Sequence, residues 1–212
     1  MLSFLHKYAK NYKYSQNGEE GVLGECWLRL LEVTKLNFRT VEIGANDGHF
    51  CSNTALLVDA GWFGVFVESD WDLYQKCKAN YANVSRARVQ CARVDENNIN
   101  AFVDDRCDLL SLDTDGADYR IFIGLKAKPK IVIVEIDSGI PPNVAGVNSD
   151  GAAGYLTGVQ LGLEKGYFLL CHTGNLVMIA NEYRHLFPEI EGDGLSNSEL
   201  YFKRDWLKEV AA

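Results

Sequence analysis

The sequence is short of several things, and each shortage narrows the field. None of its 6 cysteines, at positions 26, 51, 77, 91, 107 and 171, forms a Cys-x-x-Cys pair, so a zinc site of ordinary spacing is not supported. Most lie in apolar segments and read as small, reduced core residues. Prolines number only 4 and no low-complexity tract occurs, which argues against a disordered chain. No run approaches the ~18 apolar residues of a membrane helix. The start, Met1-Leu2-Ser3-Phe4-Leu5-His6-Lys7-Tyr8, lacks the charged region and apolar stretch of a secretory signal. A soluble cytoplasmic protein is therefore expected. Positive charge is also scarce, with 21 Lys and Arg against 29 Asp and Glu. The net charge of -8 repels a phosphate backbone and disfavours a nucleic-acid partner.

What remains is an ordinary globular composition, 47% hydrophobic and 24% charged, over 212 residues without internal repeats. That length predicts one domain with a sizeable core. Residues 1–18 are polar and aromatic, and Tyr14-Ser15-Gln16-Asn17-Gly18 reads as a turn. From Glu19 to Glu32, Val22, Leu23, Cys26, Trp27, Leu30 and Leu31 recur at helical spacing. Strands are expected at 40–43, 64–68, 88–91, 108–112 and 130–135. Helices are expected at 53–60, 70–81, 97–104 and 118–125. Continuous apolar strands alternating with helices indicate a parallel sheet buried on both faces. The last third differs. A helix over 154–165 precedes strands at 167–171 and 176–180, parted by the hairpin signal Gly174-Asn175. A doubly wound, mainly parallel α/β sheet that ends in an antiparallel hairpin resembles the Rossmann-like class I methyltransferase fold.

In such a sheet the ligand lies beyond the carboxyl ends of the strands. The first strand ends in Glu42-Ile43-Gly44-Ala45-Asn46-Asp47-Gly48. Gly44 lets the backbone approach a ligand, and Gly48 relieves crowding before the next helix. Glu42 and Asp47 place carboxylates where the ammonium of an amino-acid group can lie. A dinucleotide loop puts small uncharged residues against a pyrophosphate, and two carboxylates would repel it. The charge therefore favours S-adenosylmethionine (SAM) over NAD. Glu68 ends the second strand 20 residues after Gly48, the spacing at which an acid holds a ribose diol. Asp95, after the third strand, either accepts a hydrogen bond from adenine or caps a helix.

Three stretches resemble the FkbM-like methyltransferase family: Tyr14-Ser15-Gln16-Asn17-Gly18-Glu19-Glu20; Val41 to Gly48, running through Ser52-Asn53-Thr54 and Gly61-Trp62 to Gly64 and Glu68; and Leu110 to Tyr119, followed by Pro129 to Glu135. Together they span most of residues 14–137. The family often has proline after the acid of the second strand, where this chain has Ser69-Asp70. The resemblance implies a SAM-dependent O-methyltransferase acting on hydroxyls of sugars or secondary metabolites. It implies that Glu42, Gly44, Asn46 and Gly48 line the methionine end, that Glu68 holds the ribose, and that Asp113 stands at the fourth strand end. Gln16, Asn53 and Ser69 belong to the same cofactor-binding set.

Methyl transfer to an alkyl hydroxyl needs alignment and a base or metal. Asp113, Asp115 and Asp118 follow the fourth strand, and Glu135 and Asp137 end the fifth. One reading makes Asp113, Asp115, Glu135 and Asp137 ligands of Mg²⁺, since hard oxygen donors suit that ion. The other makes Asp115 or His172 a direct base with no metal, and Asp137 is a further catalytic candidate. A bland reading has Asp115-Gly116 forming a turn and Asp118 capping a helix. Asp137-Ser138-Gly139-Ile140-Pro141-Pro142 reads as an active-site loop. Gln16 and Glu19 lie in a polar turn that folds over the cofactor as a lid. Trp62, Trp71 and the Tyr14 region either stack on adenine or pack in the core. Residues 1–35 are thus expected as a helical cap, with 138–160 and 182–212 on the substrate side of a small-molecule or glycan acceptor. An NAD-linked oxidoreductase and a non-catalytic SAM-binding protein are the alternatives.

Overall fold

The computed structural model describes residues 4–190 and 192. Among these residues seven strands form one sheet: β1 Arg39–Ile43, β2 Phe63–Glu68, β3 Ala87–Cys91, β4 Leu109–Leu112, β5 Ile131–Glu135, β6 Tyr167–His172 and β7 Asn175–Ala180. Their spatial order is β3-β2-β1-β4-β5-β7-β6. β1 to β5 run parallel, and β7 is antiparallel to both β5 and β6. The helices are α1 Glu19–Leu31, α2 Ala55–Asp59, α3 Trp71–Asn80, α4 Asp118–Gly124 and α5 Tyr155–Glu164.

The expected strands are all present, and burial explains why. Every residue of β4, β6 and β7 is buried, as apolar runs covered on both faces must be. β3 lies at the sheet edge, where Arg88 and Gln90 reach solvent. Thr173-Gly174 makes the hairpin turn, with Gly174 at φ 98°, and Asn175 already belongs to β7. On α1, Val22, Leu23, Cys26, Trp27 and Leu30 are buried, and the Trp27 ring lies 4.8 Å from that of Trp62. The N-terminal helix is therefore part of the main core.

Two helices are shorter than the sequence pattern predicts. The segment 97–104 holds one 3-10 turn, Ile99–Ala101. Asp95 accepts from the Asn97 and Asn98 N–H groups at 2.8 and 3.1 Å, and Asn98 bonds back to Asp95 N–H. Such local side-chain bonds favour turns over helix. The helix expected over 53–60 starts only at Ala55, because residues 52–54 are bent around Glu42. Ser52 Oγ accepts from the Thr54 and Ala55 N–H groups at the helix start.

β1 has β2 on one side and β4 on the other, so the chain winds outward in both directions from it. The loops beyond Ile43 and Leu112 part at that point and open a crevice. Among the described residues no helix is long and apolar enough to cross a membrane.

Candidate cofactor and acceptor site

A cavity of about 810 Å³ occupies this crevice. Its walls come from the loops after β1, β2, β3 and β4, the end of β5, and Gln16 of the N-terminal loop. Of the residues that sequence reasoning placed at a cofactor, Gln16, Glu42, Gly44, Asn46, Glu68, Ser69 and Asp113 line it. Gly44 has φ 80°, and a Cβ there would collide with the Asp113 carbonyl oxygen. Only glycine lets β1 and β4 close so tightly at their ends. Asn46 also takes a left-handed conformation, φ 51°, and its side chain accepts from Asp47 N–H at 2.7 Å. Non-glycine residues rarely hold that geometry without local support.

Glu68 is anchored from two loops. One carboxylate oxygen accepts from Asn46 N–H at 2.8 Å, and the other from Asp70 N–H at 2.8 Å. The remaining lone pairs can take hydroxyl donors. Glu42 is different. Its oxygens already accept from Ser52 Oγ at 2.6 Å, Thr54 Oγ1 at 2.8 Å and Asn53 N–H at 2.9 Å. It lies in the cavity floor and shapes the 52–54 turn. Burial, partly offset by these donors, pushes its pKa up to about 7.

Asp113, Asp115 and Glu135 converge, with one carboxylate oxygen from each lying within 4.8 Å of the others. Asp113 and Glu135 are hydrogen-bonded, and burial raises both above the usual carboxylate range. The Asp113 charge raises Glu135 further. Asp118 fixes the turn that carries this group. It accepts from Thr114 N–H at 2.8 Å, Thr114 Oγ1 at 2.9 Å and Gly116 N–H at 3.3 Å. Asp115 stands exposed at φ 56° on that turn and faces the cavity.

Five expected site residues lie elsewhere. The Asp95 carboxylate is engaged with its own turn. Gly48, φ 81°, faces Tyr81 and Cys77 and allows α3 to pack against the β1 loop. Asp137 accepts from Gly139 N–H at 2.7 Å and Asn148 Nδ2 at 2.9 Å, so it braces loop 138–148 instead of joining the carboxylate group. His172 is fully buried on β6, separated by β7 from β5. Desolvation depresses its pKa to about 3, and its carbonyl accepts from His6 Nε2–H at 2.8 Å. Asn53 sits behind the floor, donating to Ser111 Oγ at 3.1 Å.

Sequence reasoning did not name Phe50, Cys51, Leu73, Arg93, Val94 or Thr114 as wall residues. All follow strand ends, so topology points to their loops, but nothing in the residue types singles them out. Trp62 packs between Trp27 and Phe38, the core outcome. Tyr14 stacks on His49 at 4.9 Å. Trp71 is 61% exposed at the start of α3.

No family model matches the chain, and no curated protein matches its sequence. Solved structures do. The crystal structure of monomeric WbdD aligns with a TM-score of 0.53 at 16% identity, covering 82% of this chain and 42% of that one. The chain thus spans less than half the length of that protein. A SAM dependent methyltransferase from Aquifex aeolicus aligns with a TM-score of 0.50 at 14% identity, over 83% of this chain and 97% of that one. At such identities the likeness establishes the architecture: the Rossmann-like fold of class I methyltransferases.

Proposed function

We propose that the chain is a SAM-dependent methyltransferase of FkbM-like type that methylates a hydroxyl of a small acceptor, a sugar or glycan. The observation that carries this is the sign of the cavity. Among the described residues six acidic side chains line it, those of Glu42, Glu68, Asp70, Asp113, Asp115 and Glu135, against one cationic side chain, Arg93. Such walls suit a ligand bearing sulfonium and ammonium charges and repel a pyrophosphate. The residues fit SAM: Glu68 has lone pairs for the ribose hydroxyls, Gly44 and Asn46 bring the backbone to the amino-acid end, and Val94 with Leu73 offers an apolar face for adenine.

SAM supplies a methyl group already activated by its sulfonium. The chain's own task is to align the acceptor and take its proton. Asp115 is the base in this reading: exposed, on a fixed turn, and facing the cavity, it receives the hydroxyl proton as the new carbon–oxygen bond forms. Phe50, 67% exposed at the cavity mouth, gives a sugar ring an apolar platform. Loop 138–154 belongs to the acceptor side, since Gly116 packs against the Asp150 backbone next to Asp115. Glu182 to Ile190 follows the end of β7 that pairs with the start of β5, and Arg29 of α1 holds it there through the Leu186 carbonyl and Glu189, so this part of the expected substrate-side tail lies at the end of the sheet away from the cavity; residues 191 and 193–212 lie outside the described residues.

Calorimetry with SAM and with NAD tests the cofactor: binding of NAD and not SAM overturns the reading. Formation of S-adenosylhomocysteine with a panel of hydroxylated acceptors tests turnover, and binding without turnover on any of them favours a non-catalytic SAM protein. The convergence of Asp113, Asp115 and Glu135 supports a second branch, in which these three would hold Mg²⁺, which would supply Lewis-acid activation of a hydroxyl. Full activity after EDTA treatment and dialysis rejects that branch.

A further inference from the structure

We propose that Glu19 is a positioning residue for the cavity, tying the loop that carries Gln16 to the β6–β7 turn so that Gln16 can close over SAM. This rests on the SAM reading above and adds to it a clasp between the two ends of the chain. Glu19 is fully buried at the start of α1. One of its oxygens accepts from Thr173 Oγ1 at 2.8 Å and from Asn175 Nδ2 at 3.5 Å. The other accepts from Asn17 N–H at 2.9 Å, one residue after Gln16. Loop and turn touch directly: a Cβ on Gly174 would stand 2.6 Å from Asn17 Nδ2.

The rest of the loop is held as a closed strap. Lys10 N–H donates to the Gly18 carbonyl at 3.1 Å, which joins its two ends. Glu20, the next residue, accepts from three successive N–H groups, those of Tyr12, Lys13 and Tyr14, at 2.6, 2.8 and 2.9 Å. Asn11 Nδ2 donates to the Gln16 carbonyl at 3.0 Å. On the far side, Tyr14 stacks on His49 of the β1 loop and donates to Asp59 at 2.8 Å. The strap is therefore moored to the cofactor loop through Tyr14 and to the C-terminal hairpin through Glu19, with Gln16 between the moorings at the cavity wall. A buried carboxyl here costs desolvation that an apolar side chain would avoid. What it gains is a fixed direction, since three donors converge on it from two elements 154 residues apart.

The test compares Glu19→Ala, Glu19→Gln and Thr173→Val with the unaltered chain, reading SAM binding by calorimetry and amide exchange of residues 11–17 without ligand. Glu19→Ala should weaken SAM binding about tenfold and speed exchange in the strap, leaving the cooperativity of thermal unfolding intact. Glu19→Gln should restore both, because its amide can accept from Asn17 N–H and donate to Thr173 Oγ1. Combining Glu19→Ala with Thr173→Val should weaken binding no further than Glu19→Ala alone. Should Glu19→Ala fail to fold, Thr173→Val carries the test with a smaller change in the same two readouts. A folded Glu19→Ala, or in its absence Thr173→Val, with unaltered affinity and exchange overturns the clasp while leaving the SAM reading standing. Absence of SAM binding by the unaltered chain overturns both.

Discussion

Glu68 and Glu42 are both buried acids at strand ends, yet the structure gives them different work. Glu68 has two backbone N–H partners and faces the cavity, whereas three donors from residues 52–54 already converge on Glu42. Replacing Glu68 with alanine removes a ribose acceptor and leaves the Asn46 and Asp70 N–H groups unpaired. We expect SAM affinity to fall by at least about tenfold, and unchanged affinity by calorimetry refutes the assignment. Asp115→Asn should act on the other parameter. It keeps the shape of the turn and removes the base, so kcat should drop roughly a hundredfold while SAM affinity holds; a normal kcat moves the base elsewhere. Residue types alone could not separate these roles. A carboxylate at a strand end looks the same in sequence whether its partners are ligand groups or neighbouring backbone. His172 was ambiguous for the same reason, since the His6 contact that engages its carbonyl comes from 166 positions away.

The elements were far more legible. Strands such as Ile131–Glu135 and Leu176–Ala180 announce themselves as apolar runs, and α1 does so by its spacing of Val22, Cys26, Trp27 and Leu30. The turn at 99–101 was overread as a helix because asparagines and aspartates do not break an apolar pattern yet bond locally in ways that stop a helix. Asp137 shows the limit of counting strand ends: it follows β5 as expected, but the Asp-x-Gly turn swings its carboxylate onto loop 138–148. Gly48 is an element-scale residue that the pattern named for its freedom and the packing explains. A methyl there would lie 2.6 Å from the Tyr81 ring and 2.7 Å from Cys77 Sγ, at φ 81°. Gly48→Ala should cost about 1–3 kcal/mol by loosening α3 from the β1 loop, and an unchanged melting temperature contradicts that packing.

For the whole molecule, the buried acids set the pH dependence of stability. Burial, the largest cause in each case, raises Glu42 to about 7 and Asp118 to about 6, and raises Glu19 as well. An acid that binds its proton more tightly folded than unfolded stabilises fully below the usual 4.5 of a glutamate, and loses that contribution as pH rises through its folded value. His172, depressed to about 3, works in the opposite sense: its contribution is whole above 6.5 and fades as pH falls toward 3. The melting temperature should therefore decline from pH 6 to pH 8, and Glu42→Gln should flatten that decline. Equal slopes for the two proteins would place the titration elsewhere.

The strand order has a temporal side. β7 is the last strand among the described residues, yet it fills the gap between β5 and β6. Until residues 175–180 leave the ribosome, the apolar edge of β5 has no partner to hydrogen-bond with, and an emerging chain presents Ile131 to Val134 as a bare template for any other strand. The β6–β7 hairpin thus acts as a seal applied after the cavity wall has been made. A protein halted before Asn175 has every described residue of the cavity wall and an open β5 edge.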